Sequence, residues 1–276
     1  MGSARFRKKR KETNADSQNP KQIPYNQRQM LEYLLFAIVL FFIAVLFYKQ
    51  ANEEFQILQL DAERFNELPT LYAERSPIVM SDFQTPNLGS EEDLQRRPQI
   101  MGMLVKQNTS LRQLLASPQL QQFQFPLASA RFLAKESGLS IWFEHHLYKK
   151  LLPSPYTEWV YSFNTSLWPD HRGLFKTTAF QTVLMPSQGT ASIKILLPKM
   201  IPYLPTQWKG RQFSTLSFQD TPLLNQIQFI EIRIRKGNLL LLPAHLIVDI
   251  QSIEPSWVFI GEVNHPISYL ASLSSL

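Results

Sequence analysis

With 276 residues, 44% hydrophobic residues and 19 Phe, the chain can bury one sizeable core and is not disordered as a whole. It has no cysteine, which excludes a disulfide scaffold, thiolate metal sites, iron–sulfur clusters and a cysteine nucleophile. The net charge of +6 belongs to residues 1–29, where eight Lys and Arg stand against Glu12 and Asp16; the rest balances at 20 basic and 20 acidic residues. The folded part therefore has no basic field to attract a polyanion, and no nucleic-acid partner is expected.

Residues 1–29 are polar, with the basic block Arg7-Lys-Lys-Arg-Lys11, and read as a disordered tail. Beside an apolar run that block is expected to set membrane topology and touch anionic lipid, rather than act as a nuclear signal or nucleic-acid arm. The run over 30–48 contains no Pro or Gly and carries its single charge, Glu32, near one end. At about 1.5 Å per residue it spans roughly 28 Å, close to the hydrocarbon thickness of a bilayer. A soluble core helix would keep a polar face, and this one is apolar all round between Tyr33 and Tyr48. A cleaved signal peptide would be followed by small residues; Lys49, Gln50, Ala51, Asn52 and Glu53 follow instead. A transmembrane signal anchor is expected, with the N-terminus cytosolic and the larger part lumenal or extracytoplasmic. Position 6 is Phe, so Met1-Gly2 does not open a myristoylation motif. Asn108-Thr-Ser110 and Asn164-Thr-Ser166 are glycosylation candidates on the far side, expected in loops.

Phe55, Leu58, Ala62, Phe65 and Leu68 recur at helical spacing until Pro69, which predicts a juxtamembrane helical stalk over 49–75. The domain over 76–276 opens on a strand at 76–83. Helices are predicted over 101–116 and 129–135. Strands follow around 193–197, 230–235, 239–242, 246–250, 257–260 and 267–270, with turns bearing Pro and Gly between them. In Ile230-Glu-Ile-Arg-Ile-Arg235 the three isoleucines are expected to share the core face. Short helices followed by many short strands predict a mainly β (α+β) barrel prefaced by helices.

Phe229 to Ile250, with Arg235-Lys-Gly-Asn-Leu-Leu-Leu-Leu-Pro243, resembles the strand, turn, apolar strand and Pro of the cupin-like branch that includes the JmjC-type 2-oxoglutarate oxygenases. Phe180 to Pro198, with Gly189 and Lys194, is similar to the segment that follows that family's iron motif. The resemblance implies a double-stranded β-helix. It also implies a His-x-Asp/Glu pair about thirteen residues before Gly189 and a second His five residues after Pro243. This chain has Lys176-Thr177-Thr178 and Val248 there, which cannot replace a facial triad. A degenerate barrel with no catalytic residues, metal or cofactor is therefore expected, serving as a structural or interaction module for a protein partner or small ligand. Membrane-anchored barrels of this build resemble proteins of large DNA viruses or protists, which implies a place in a virion or organelle membrane. The alternative is an oxygenase using Fe(II) and 2-oxoglutarate, or another metal enzyme, with relocated ligands drawn from His171, His245 and Asp249. Glu144-His145-His146 lies on a helical segment, where adjacent residues do not share a face. No Gly-x-Ser-x-Gly, phosphate loop, His-Glu-x-x-His or EF-hand pattern occurs.

Overall fold

The computed structural model describes residues 25–49, 56–72, 74–106, 109–117, 123–151 and 160–273. The basic tail up to 24, Asn108 and residues 50–55 of the expected stalk lie outside them. The chain divides into two units, residues 1–42 and 43–276. The described part of the first belongs to α1 (Tyr25–Lys49), whose stretch Gln29–Tyr48 is long and apolar enough to cross a membrane.

The second unit begins its sheets earlier than expected. In place of a stalk helix, β1 (Leu58–Asp61) pairs in parallel with β2 (Ile78–Ser81), and a 3-10 turn and α2 (Leu68–Tyr72) join them. Leu58 and Leu60 fit a strand's period of two as well as a helix's stripe, and pairing with β2 decides between them. The predicted helix over 101–116 is likewise broken. After α3 (Glu91–Gln95), α4 (Pro98–Met101) ends where that helix is expected to begin, and the stretch itself holds the hairpin of β3 (Leu104–Lys106) and β4 (Thr109–Ser110) and then α5 (Leu111–Leu115). Ser110 caps α5 through a reciprocal box with Gln113, so the helix starts at that residue.

An almost continuous helical layer follows: α6 (Leu127–Glu136), α7 (Leu139–Trp142), a π-helical turn over Phe143–Leu147, and α8 (Tyr148–Leu151). Eight strands come next: β5 (Ser162–Pro169), β6 (Arg172–Lys176), β7 (Gln181–Gln188), β8 (Thr190–Leu196), β9 (Phe229–Arg235), β10 (Leu239–Pro243), β11 (Ile247–Ser252) and β12 (Trp257–Asn264). One sheet runs β1-β2-β10-β7-β12-β5 and the other β6-β11-β8-β9, antiparallel throughout except β1 with β2. From β5 to β12 the chain thus passes back and forth between two facing sheets. The last predicted strand is a helix, α9 (Pro266–Leu273). Pro266 at its first position and the Ser268 hydroxyl accepting from His265 N–H start it, and local sequence there outweighs the β-branched Ile267.

Helix makes up 39% of the structure and strand 31%, so the chain is mixed rather than mainly β. The core explains why. Ala191, Ile193 and Ile195 of β8 and Val248 and Ile250 of β11 face the six-stranded sheet. The alternate residues Leu196 and Ile247 face a second cluster built by residues 198–227, including Met200 and Trp208. The strands β7, β10 and β12 are apolar on both faces because the helical layer covers their outer side. Gly261 of β12 marks the closest approach, since a Cβ there would lie 2.5 Å from Cε2 of Phe143. The expectation for β9 is corrected at its outer end. Ile234 is fully buried, Ile232 is half-buried and Ile230 is 38% exposed, because this edge strand leaves the core as it runs outward.

Candidate functional site

The strongest candidate lies where β5 turns into β6. Asp170 takes a left-handed conformation (φ 56°), its N–H donates to the Ser256 carbonyl at 2.8 Å, and its own carbonyl accepts from the Ser252 hydroxyl. Across β6 the register with β11 slips, pairing Phe175 with Val248 but Arg172 with Ile250. Paired residues share a sheet face, so this bulge turns Arg172 to the inner side together with Phe175. Gly173 is the residue in the bulge. Leu174 N–H donates to the Arg211 carbonyl and Gly210 N–H to the Leu174 carbonyl, both at 2.8 Å, and any Cβ at 173 would meet the Gly210 carbonyl.

The result is a cavity of about 570 Å³ lined by Phe125, Trp168, His171, Arg172, Phe175, Lys176, Thr178 and Lys209, among others. Its aromatic wall is fixed. Trp168 Nε1 donates to the Ser166 hydroxyl at 2.8 Å, and Phe125 meets the indole edge-on at 6.4 Å between ring centroids. The Arg172 guanidinium lies 3.6 Å from the Phe175 ring centroid and 4.8 Å from that of Trp168. Burial pulls its pKa down to about 10, opposed by the carboxylate of Glu262 and assisted by Arg131. It therefore stays charged at neutral pH. Among the described residues nothing accepts a hydrogen bond from it, and no carboxylate lies within ion-pair distance. Burial also lowers the pKa of His171, favouring the neutral imidazole.

Lys176 and Thr178 line the same cavity, while Val248, next to Ile247 across from Lys176, is buried in the core. Thr177 has a structural task. Its hydroxyl donates to the Pro243 carbonyl at 2.8 Å and accepts from Leu246 N–H at 2.9 Å, tying the end of β6 to the turn between β10 and β11.

The proposed relocated metal ligands are scattered. His171 lines the cavity just described. His245 lines a different one, of about 370 Å³, with Tyr48, Tyr72, Gln181 and His265, and its Nε2 is 2.9 Å from the Tyr48 carbonyl oxygen. Asp249 alternates with Val248 and Ile250, so it faces the second cluster, away from the sheet interface. Among the described residues no three His, Asp or Glu side chains converge to hold a metal ion. The donors present do not fit the Fe(II) site that the family resemblance implies. Asn164 is exposed, but it sits within β5 opposite Glu262 rather than in a loop, and Ser166 of its triplet is buried. His145 and His146 are exposed on the π-helical turn.

Sequence alone does not single out Arg172, although it draws attention to the neighbouring Asp170 and His171. The available signal is Trp168 and Phe175 flanking an Arg on a short strand, and only the bulge at Gly173 gives that spacing its meaning.

No family model and no curated protein matches this chain. Among solved structures, it is similar to hydroquinone 1,2-dioxygenase from Sphingomonas sp. TTNP3 with 4-hydroxybenzoate bound, a cupin-fold protein. Identity is 14%, the similarity covers 40% of this chain and 62% of that one, and the TM-score is 0.27.

Proposed function

We propose that this chain is a membrane-anchored, cupin-like protein that acts without metal as a binding module, with its ligand or partner engaged at the cavity between β5 and β6. The strand order supports a double-stranded β-helix: β5, β7, β10 and β12 in one sheet alternate with β6, β8, β9 and β11 in the other. On this reading α1 crosses the bilayer, the basic tail is cytosolic and touches anionic lipid, and the double-sheet domain is extracytoplasmic. Its folded part starts at β1 rather than at residue 76.

The observation that carries the reading is the chemistry of the cavity. Where the resembling family places iron ligands, the chain has Lys176, Thr178 and Val248, and the charged side chain held inside is a guanidinium. Lys and Arg repel a divalent cation, and Val has no donor.

The test is metal content of the detergent-purified full chain after incubation with Fe(II), Mn(II) and Zn(II), with a 2-oxoglutarate turnover assay alongside. Substoichiometric metal and no turnover are expected. Stoichiometric metal that disappears in His171→Ala or His245→Ala would overturn the reading.

A further inference from the structure

We propose that the β5–β6 cavity is a carboxylate site, in which Arg172 takes the head of a small organic acid and the wall of Phe125, Trp168 and Phe175 takes its apolar body. The inference rests on the reading of this cavity as the binding end of the domain, and it names the ligand's chemistry.

Arg172 is half-buried and lies against two aromatic rings, so its N–H groups depend on what enters the cavity for their hydrogen bonds. Structural arginines find such bonds in carboxylates or backbone carbonyls, as Arg97 does here with Asp93 and the Glu136 carbonyl. Among the described residues Arg172 finds neither, and it borders a cavity large enough for a small molecule. The arrangement is also rigid: the Ser166 bond fixes Trp168, and the slip in register fixes Arg172.

The guanidinium sets the head of the ligand and the apolar lining sets its body. The Phe175 ring centroid lies 3.6 Å from the guanidinium carbon, so the ring shields the group on one side and an N–H edge turned away from it remains to bind. Two coplanar acceptor oxygens match that edge, as a carboxylate supplies them. The same edge can take two oxygens of a phosphate, so inorganic phosphate is one arm of the test. Among the described residues the cavity lining contains Arg172, Lys176 and Lys209 and no Asp or Glu, so its field favours a negative ligand. Its remaining lining, which includes Pro126, Leu127 and Leu174, suits a hydrocarbon body better than a sugar or a peptide backbone.

The experiment uses the full chain in nonionic detergent, titrated with phenylacetate, hexanoate, phenylacetamide and inorganic phosphate, followed by calorimetry and tryptophan fluorescence. Saturable one-to-one binding of the two carboxylates is expected. Arg172→Gln should weaken it by roughly tenfold to a hundredfold, the size of a charge-assisted hydrogen bond. On the unaltered protein phenylacetamide should bind at least about tenfold more weakly than phenylacetate, an arm that does not depend on the variant folding. Equal binding of acid and amide, unchanged binding in a folded Arg172→Gln protein, phosphate tighter than either carboxylate, or no binding at all would each overturn the proposal. Metal content of the same samples is read separately, so bound metal would defeat the metal-free reading while the carboxylate site stands or falls on the titrations.

Discussion

Asp249 offers the sharpest test of how the domain is built. It lies within the apolar strand β11, fully buried, and neither carboxyl oxygen makes a well-formed hydrogen bond among the described residues. Burial pushes its pKa up from 3.8 to about 7, against weaker opposing pulls from the Phe213 backbone and the Lys194 ammonium. The folded state thus holds this proton more tightly than the unfolded chain does. Its contribution is intact below about pH 4 and is lost as the pH rises towards 7, where folding must keep the acid protonated or bury its charge. The loss runs at about 1.4 kcal/mol per pH unit, or about 4 kcal/mol between about pH 4 and about pH 7. Asp249→Asn removes the titration and buries an extra amide donor, at a cost of about 1–3 kcal/mol. At pH 4 the variant should be the less stable protein, and by pH 8 the more stable one. At about 2–4 °C per kcal/mol, the difference in Tm should swing by roughly 10 °C across that range. Thermal unfolding of both proteins in detergent, from pH 4 to pH 8, measures it. Parallel Tm curves would show that Asp249 keeps an ordinary pKa and that the segment over 198–227 does not seal this face.

Gly261→Ala should destabilise by about 1–3 kcal/mol, because its Cβ would press on the Phe143 ring, and Phe143→Leu in the same chain should recover part of the loss; strictly additive effects in urea unfolding would place the helical layer elsewhere. For topology, protease added to sealed membranes should remove only the basic tail, and digestion of the region after Tyr48 from the cytosolic side would reverse the assigned orientation.

Much of the architecture is legible in the sequence because its signals are local. The run Leu239–Leu242 ended by Pro243, the alternation around Ile193 and Ile195, and the helix ending at Gly138 all sit where periodicity and breakers place them. The departures share a cause. Leu58 to Leu68, residues 101–116 and Ile267 to Leu270 are short apolar stretches compatible with either period, and neighbours distant in sequence, or a cap such as Ser110, decide them. Ile230 shows the same limit in another form. Alternation gives the side of a strand on which a residue lies, but not how far along the strand the core extends.

Residue type and spacing within one element suffice for the apolar helix, the concentration of positive charge in the tail and the strand-rich second half. The packing of distant segments was needed to separate His171, His245 and Asp249 from one another. It was needed equally to turn Arg172 inward beside Phe175, with no acceptor among the described residues. That orientation depends on a slip of register between β6 and β11, strands about seventy residues apart, made possible by the missing Cβ of Gly173 where the chain passes Gly210. Such a slip leaves no periodic trace in the sequence, because it arises where two strands meet.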